Sequence, residues 1–140
     1  MNDLKRLASE VFEREFHCHK PLGAFCGPEG TQIYLWAPTA EAVFLHFYPK
    51  GNDCPPAETV SMERGEQGRW SYKTSRNLDG WYYDFDVTVS GKTRCTADPY
   101  ARGCGVNGNR SMVIDLTKTN PQGWETDRAP AAKAEQVIYE

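Results

Sequence analysis

The segment 81–89, with the sequence WYYDFDVTV, constrains the fold more than any other part of this chain. Apolar or aromatic side chains occupy every second position, and Tyr82, Asp84, Asp86 and Thr88 occupy the positions between them. Side chains of a β-strand point alternately to the two faces of a sheet. The segment therefore predicts a strand with one face in a core and one in water, and Asp84 and Asp86 are expected to be solvated surface charges.

Six further segments carry the β-branched and aromatic residues that strands favour, and turn residues separate them. Twelve Gly and nine Pro supply many of these turns. Regular short strands without intervening helices are typical of an all-β sandwich. The predicted strands are 31–37, 42–48, 57–63, 69–75, 92–97 and 110–116.

A short amphipathic helix is predicted over residues 3–16, before the strands begin. Five apolar side chains share one face at helical spacing, with charges opposite. Such a helix either docks a partner or packs on its own domain, and the second is the favoured interpretation. The apolar residues are Leu4, Leu7, Val11, Phe12 and Phe16.

Charge and hydropathy exclude two classes of partner. The formal net charge is -3, and the basic residues are scattered. A nucleic-acid-binding surface needs a positive field, so no nucleic acid is expected. No stretch approaches the roughly 20 apolar residues of a membrane span, so no membrane is expected either. The first residues, MNDLKR, lack the apolar core of a secretory signal, which predicts a cytoplasmic location.

The five cysteines do not form a recognisable framework, because the count is odd and no CxxC pair occurs. Reduced thiols are the simplest interpretation. His17, Cys18, His19 and Cys26 offer four metal-capable side chains, but their spacing matches no zinc pattern, and adjacent ligands rarely converge on one ion. No phosphate-binding glycine-rich loop is present either. We therefore expect no metal and no cofactor.

The last part of the chain reads as a linker followed by an interrupted strand. Residues 117–130 are rich in polar residues, Gly and Pro, and residues 136–140, QVIYE, have the composition of a buried strand. This strand is interpreted as the first strand of a domain that is absent. The predicted organisation is an N-terminal helical extension over 1–20, a β-sandwich over 21–116, and a linker with the first strand of a missing barrel over 117–140.

Short motifs follow one another in a fixed order from Leu22 to Glu140. They are LGA at 22–24, LWAPTA at 35–40, MERG at 62–65, GRW at 68–70, GWYY at 80–83, DPYA at 98–101, VNG at 106–108, RS at 110–111, PQGW at 121–124 and VIYE at 137–140. Together they resemble the family 48 carbohydrate-binding module that precedes the catalytic barrel in type I pullulanases. VIYE resembles the first barrel strand of glycoside hydrolase family 13.

This resemblance implies an immunoglobulin-like (early-set) β-sandwich with a short N-terminal helix. It also implies a non-catalytic accessory role, because in the resembling enzymes the nucleophile and the acid of α-1,6-glucoside hydrolysis lie on barrel strands beyond residue 140. The catalytic barrel of the same polypeptide is the expected partner, and the sandwich would support it. Asp98, Pro99, Tyr100 and Trp124 are expected at or near the joint between them.

Independent binding of α-glucan is the alternative function, and the resemblance argues partly against it. Family members that bind glucan carry a Trp three residues before the Asp-Pro, and this chain has Cys95 at that position. They also carry a Lys on the preceding strand, and this chain has Asp84 there. Sugar rings stack on flat aromatic faces, so the platform is expected to be missing. Asn107 or Asn109 would preserve a third, polar position.

The tryptophans and tyrosines are candidates for sugar binding with a competing interpretation as core residues. Trp36 precedes Ala37-Pro38 in a strand, and Trp81 is in register with Phe85, so core packing is favoured for both. If the chain does bind glucan by itself, the expected binding residues are Trp81, Tyr83, Trp70 and Asn107.

Overall fold

The computed structural model describes residues 9–129 and residue 131. One helix and nine strands follow one another along these residues, and four short 3-10 turns connect some of them. The helix is α1 Glu10–Phe16. The strands are β1 Gly23–Gly27, β2 Gly30–Trp36, β3 Ala42–Tyr48, β4 Glu58–Ser61, β5 Glu63–Arg64, β6 Arg69–Thr74, β7 Tyr82–Val89, β8 Lys92–Thr96 and β9 Ser111–Met112.

The strands form two antiparallel sheets. The first sheet has the order β1-β2-β6-β5, and the second has the order β4-β3-β7-β8 with β9 added to one end of β7. The inner faces of the two sheets bury one contiguous apolar core, as two packed sheets with alternating patterning do. This arrangement confirms the predicted β-sandwich. The core consists of Ala24, Ile33, Leu35, Ala40, Val43, Leu45, Phe47, Met62, Trp70, Leu78, Tyr83, Phe85 and Val113.

The alternation of buried and exposed residues predicted for strand β7 is confirmed only on its inner face. Tyr83 and Phe85 are completely buried, and each lies opposite a buried residue of β3. On the outer face, however, the carboxylate of Asp84 is also buried, with 5% of the residue exposed. The expectation that Asp84 is a solvated surface charge is therefore wrong, because side chains from other segments cover it. Asp86 is half-buried.

Three strand predictions need correction. Strand β1 was missed, although it pairs with β2 through a tight turn in which Gly27 lies opposite Gly30. The single strand predicted over 57–63 is divided: β4 pairs in the second sheet, β5 pairs in the first, and buried Met62 passes between them. The strand predicted over 110–116 is reduced to β9, after which the chain turns at Leu116–Lys118.

The amphipathic helix packs on its own domain in the part that the structure describes. Ser9 caps α1 by accepting a hydrogen bond from the Phe12 N–H at 3.2 Å. At the other end, the Trp36 indole donates a hydrogen bond to the Phe16 carbonyl at 2.9 Å. The predicted helical residues 3–8 and the predicted strand 136–140 lie outside the described residues.

Within the described ranges, no helix has the length and apolar character needed to cross a bilayer. The five cysteines are unpaired. The His17 and His19 rings lie 4.1 Å apart, but across residues 9–129 no three His, Cys, Asp or Glu side chains are grouped so that they could hold a metal ion.

Candidate functional site

A polar cluster around the buried Asp84 carboxylate occupies the outer face of the second sheet, at the position where the family resemblance places glucan binding. Tyr48 ends β3, Asp84 lies on β7, and Cys95 lies on β8, all on this face because Asp84 pairs with His46 and Cys95 pairs with Asp86. The Tyr48 hydroxyl is 3.1 Å and 3.0 Å from the two Asp84 carboxylate oxygens. Together with Arg110, these residues are called the second-sheet cluster below.

Arg110 covers this cluster from the loop that precedes β9. Its guanidinium lies 3.6 Å from the centre of the Tyr48 ring. Its two terminal nitrogens donate to the Lys50 carbonyl at 2.8 Å and to the Cys54 carbonyl at 2.7 Å. A planar guanidinium held at its edge and stacked on a ring leaves that ring face closed to solvent. Tyr48 is 7% exposed as a result.

Burial governs the electrostatics of the cluster. Desolvation raises the pKa of the Asp84 carboxyl, against the opposing effects of the Tyr48 hydrogen bond and the charges of His46 and Arg110. The pKa of the Tyr48 hydroxyl is raised by desolvation and by the neighbouring Asp84 charge. Desolvation and the charges of Asp84 and Asp86 raise the pKa of the Cys95 thiol to about 11. Cys95 is therefore a poor nucleophile at neutral pH.

A contact between a histidine and a carboxylate borders the cluster along the same face. The His46 ring contacts the Asp86 carboxylate at 3.2 Å through Nε2, and its Nδ1 lies 2.8 Å from the Thr59 hydroxyl. Both ring nitrogens of His46 therefore have partners. The positions of Cys95 and Asp84 thus offer no flat aromatic surface to a sugar. One aromatic side chain of this face is nevertheless exposed: Phe44 of β3, opposite Asp86, is 42% exposed.

A second group of interest is the turn at Asp98, which the resemblance places near the interdomain joint. Asp98 is buried, and its carboxylate accepts hydrogen bonds from the Tyr83 hydroxyl at 2.7 Å and from the Tyr100 N–H at 2.8 Å. Its own N–H donates to the Ser111 hydroxyl at 2.7 Å. Desolvation raises the pKa of Asp98, although both accepted hydrogen bonds act against that rise. Asp98 thus fixes the turn from inside.

The rest of this turn faces outward. Pro99 is exposed, and Tyr100 is 43% exposed. Gly23 packs directly beneath the turn: a Cβ at this position would lie 2.7 Å from the Tyr100 carbonyl oxygen, and the Gly23 backbone has φ of 93°. The LGA and DPYA motifs therefore contact each other. Trp124, in a 3-10 turn further along, is 57% exposed.

The residues predicted for independent sugar binding do not form a platform. Tyr83 is completely buried and Trp70 is 4% exposed, so both are core residues and neither offers a ring face to a sugar. Trp81 is half-buried against the core, with the Arg76 guanidinium 6.0 Å from its ring centre. Asn107 is exposed in a separate 3-10 turn with φ of 54°.

Tyr48 and Arg110 were not found from the sequence, although they decide the character of the outer face. Tyr48 does lie on the outer alternation of the predicted strand 42–48, which is a usable signal. Arg110 has no comparable signal, because it reaches Lys50 across sixty residues of sequence.

The fold and these motifs agree with one protein family. The sequence model of Carbohydrate-binding module 48 (Isoamylase N-terminal domain) matches residues 21–101, more than half of the chain. The chain belongs to this family. The match begins just before β1 and ends in the Asp98 turn, so it contains the second-sheet cluster except Arg110.

Pullulanases are the relatives that carry the same domain. The chain is 32% identical to "Pullulanase 1, chloroplastic" of Arabidopsis thaliana over 93% of its own length and 15% of that protein's length. A solved pullulanase of Paenibacillus barengoltzii, in complex with maltohexaose and α-cyclodextrin, superposes with a TM-score of 0.84 and 34% identity over 91% of this chain and 20% of that one.

A second solved structure, the pullulanase of Bacillus acidopullulyticus, gives a TM-score of 0.78 and 35% identity over 86% of this chain and 15% of that one. The chain thus spans only 15% to 20% of these relatives. The resemblance to family 48 modules of pullulanases is confirmed, and so is the fold.

Proposed function

We propose that this chain is the non-catalytic accessory β-sandwich of a pullulanase-type polypeptide that debranches α-1,6-linked glucans such as pullulan, starch or glycogen. In that polypeptide, called the parent polypeptide below, the sandwich packs on the catalytic barrel and supports it. The observation that carries the proposal is the closed second-sheet cluster: the position used for glucan in the family holds a buried Asp84 under Tyr48 and Arg110.

The proportion of the relatives that this chain matches supports an accessory role. A domain that makes up 15% to 20% of a pullulanase leaves most of that enzyme to supply the reaction. Retaining hydrolysis of a glycosidic bond needs two carboxyl groups about 5–5.5 Å apart around an enclosed sugar. The buried carboxylates of Asp84 and Asp98 are each occupied by tyrosine hydroxyls within the sandwich, so neither is available as that nucleophile or acid.

The Asp98 turn supports packing against a neighbouring domain. Tyr83 holds the Asp98 carboxylate and Ser111 accepts from the Asp98 N–H on the inside of the turn, while Pro99 and Tyr100 are exposed. Exposed aromatic side chains on a rigid support are typical anchors of protein interfaces. Trp124 offers a second exposed aromatic side chain of this kind.

The test compares Tyr100→Ala and Trp124→Ala in the parent polypeptide with Val106→Ala, another exposed apolar residue of the described chain. We expect each aromatic variant to lose about 1–2 kcal/mol of interface energy and to inactivate faster on heating, with the KM for pullulan unchanged. Val106→Ala should behave like the wild type. A raised KM with unchanged thermal inactivation would contradict the supporting role and favour glucan binding.

Independent α-glucan binding is the second candidate, and one observation favours it. Two exposed or half-exposed residues of the predicted set, Trp81 and Asn107, remain accessible to a ligand. Solved pullulanases in complex with maltooligosaccharides also show that such ligands are held by these enzymes. Direct titration of the chain with a maltooligosaccharide distinguishes the two candidates.

A further inference from the structure

A groove runs across the outer face of the first sheet, on the side of the sandwich opposite to the second-sheet cluster. Its volume is about 510 Å³, within the range of roughly 300–1,000 Å³ that binding sites occupy. Phe25 and Tyr34 form its floor, and Pro21, Gln32 and the turn at 27–30 form its sides. With Arg69, these residues are called the first-sheet groove.

Two arginines lie on the aromatic rings of this apolar groove, and Glu29, in the turn at 27–30, is an acidic side chain of its lining. The Arg69 guanidinium lies 3.6 Å from the Tyr34 ring centre, and the Arg102 guanidinium lies 4.7 Å from the Phe25 ring centre. Arg69 donates one hydrogen bond to the Pro21 carbonyl at 2.9 Å, while its buried Nε has no hydrogen-bond partner among the described residues. Within residues 9–129 neither arginine is in a salt bridge.

Both aromatic rings of the groove are thus capped by guanidinium groups, which leaves less free ring surface for a stacked sugar. A guanidinium that lies on a ring still presents its edge, and that edge matches a carboxylate in two parallel hydrogen bonds. The chemistry of the groove therefore fits an apolar peptide segment that carries an acidic residue better than it fits a glucan.

The groove is continuous with the turn assigned to the interdomain joint. Gly23, which packs beneath Tyr100, pairs across the sheet with Tyr34 of the groove floor. Arg102, two residues after Tyr100, reaches back to Phe25. A partner that contacts Tyr100 can therefore extend along β1 into the groove without crossing a gap.

We propose that the first-sheet groove binds an acidic, apolar-flanked peptide segment from the catalytic region of the same parent polypeptide, with a carboxylate placed on Arg69 and Arg102. The inference rests on the proposed function and adds the surface and the chemistry of the contact. Pullulanases provide the additional chain for such a contact, since this domain accounts for only 15% to 20% of the matched relatives.

The test measures how fast a cysteine in the groove reacts with a maleimide, in the 140-residue chain and in the parent polypeptide. Gln32→Cys places the probe in the groove, and Ser61→Cys, exposed on β4 of the other sheet, is the matched control. Peptide mass spectrometry separates both from the native cysteines. We expect the groove probe to react at least about tenfold more slowly in the parent polypeptide, since a packed interface excludes water, and the control to be unchanged.

A charge reversal then tests the carboxylate. Arg102→Glu, combined with the groove probe in the parent polypeptide, should restore labelling to within about threefold of its rate in the 140-residue chain, because two like charges then face each other. Arg94→Glu, an exposed arginine on β8, should not. Unchanged protection in Arg102→Glu would overturn the acidic character of the partner.

Four other outcomes would overturn the proposal. The groove probe could react equally fast in both polypeptides. In the 140-residue chain, protection of the probe by maltoheptaose would show that the occupant is a glucan. Protection that increases with protein concentration would show that it is a second copy. Protection that is lost when residues 1–8 are deleted would show that it is the beginning of this chain. Pullulan hydrolysis is assayed separately, so a parent polypeptide that protects the groove but does not cleave pullulan refutes the proposed function without refuting the groove contact.

Discussion

The outer faces of the two sheets differ in whether their aromatic and charged side chains already have partners within the sandwich. On the second sheet, the Tyr48 hydroxyl donates to Asp84, and Arg110 lies on the Tyr48 ring and is held by carbonyls of the 50–54 loop. On the first sheet, Phe25 and Tyr34 lie in an open groove, and the arginines above them have unused hydrogen-bonding capacity.

This difference separates the face where the family resemblance places glucan binding from the face that this chain leaves available. A buried carboxylate with its hydrogen-bond partners in place contributes to the sandwich and has little capacity left for a ligand. An open apolar groove with two arginines on its aromatic rings retains its capacity for a partner. We therefore propose that the second-sheet face contributes to internal stability and that the first-sheet face contacts the rest of the parent polypeptide.

Gly23→Ala should have the largest effect on stability, because it disrupts the packing of β1 against the Asp98 turn. The new methyl group would lie 2.7 Å from the Tyr100 carbonyl oxygen, at a backbone φ of 93°. We expect the free energy of unfolding to fall by about 3 kcal/mol, measured by urea denaturation. Gly27→Ala on the same strand meets nothing within 4 Å and is the control. Equal losses in the two variants would refute the packing of β1 beneath the turn.

Arg110→Ala and Arg102→Ala compare the two faces directly. Arg110 loses two hydrogen bonds to backbone carbonyls and its contact with Tyr48, so we expect a loss of about 2 kcal/mol in the free energy of unfolding. Arg102 has one exposed contact with Phe25, and its loss should be below about 1 kcal/mol. If Arg102→Ala proved as destabilising as Arg110→Ala, the contrast between the faces would be wrong.

Cys95 is exposed, and its reactivity reports on the electrostatics of the second-sheet cluster without a stability measurement. Because the pKa of its thiol is raised from 9.0 to about 11, the thiolate is scarce at pH 8, although it is also more nucleophilic. The two effects leave alkylation by iodoacetamide roughly tenfold slower than for a cysteine in an unstructured peptide. Asp84→Asn removes one of the charges responsible and should accelerate the reaction. A rate as fast as the peptide's would contradict the effect of the Asp84 and Asp86 carboxylates on this thiol.

The pH dependence of stability should show a smaller effect of the same cluster. The pKa of Asp84 is higher in the folded chain than its ordinary value of 3.8, so the folded chain holds more protons between these two pH values. The free energy of unfolding therefore falls as pH rises through this window. Asp98 contributes with the same sign. Asp84→Asn should flatten the decline, as measured by urea denaturation from pH 3.5 upward.

Asp79 is the control, because its contribution to the pH dependence of stability has the opposite sign. Hydrogen bonds from Lys118 and from the Asp115 N–H lower its pKa, so its contribution is present above the ordinary carboxyl pKa and is lost as pH falls. Asp79→Asn should therefore reduce the loss of stability on acidification. A decline with rising pH that is unaffected by Asp84→Asn would show that the second-sheet cluster does not carry it.

The sequence alone was sufficient to predict the features that depend on a local pattern of residues. The alternation in 81–89 predicted the buried Tyr83 and Phe85, and the order of motifs predicted the family. Strand β1 was missed because GAFCG has no alternation, and its pairing with β2 depends on the turn at 27–30. The strand predicted over 57–63 is divided because its two ends belong to different sheets, which is a property of the whole sandwich.

The candidate site was predictable only as a departure from the family pattern. Cys95 and Asp84 indicated that the stacking platform is missing, but the burial of Asp84 depends on Tyr48 and Arg110, which come from distant segments. Likewise, both Gly23 and Tyr100 belong to recognised motifs, yet only the folded chain shows that one packs beneath the other.

The most direct test of the central claim is a calorimetric titration of the chain with maltoheptaose, followed in parallel by tryptophan fluorescence. Cys95→Trp is the positive control, because it returns the aromatic residue of the glucan-binding family members, and Thr93→Trp, on the same strand and face, is its matched partner. We expect no saturable response from the wild type or from Thr93→Trp, and millimolar binding by Cys95→Trp. Saturable binding by the wild type that Arg110→Ala or Asp84→Asn abolishes would contradict this expectation, and would make the second-sheet face a glucan-binding site after all.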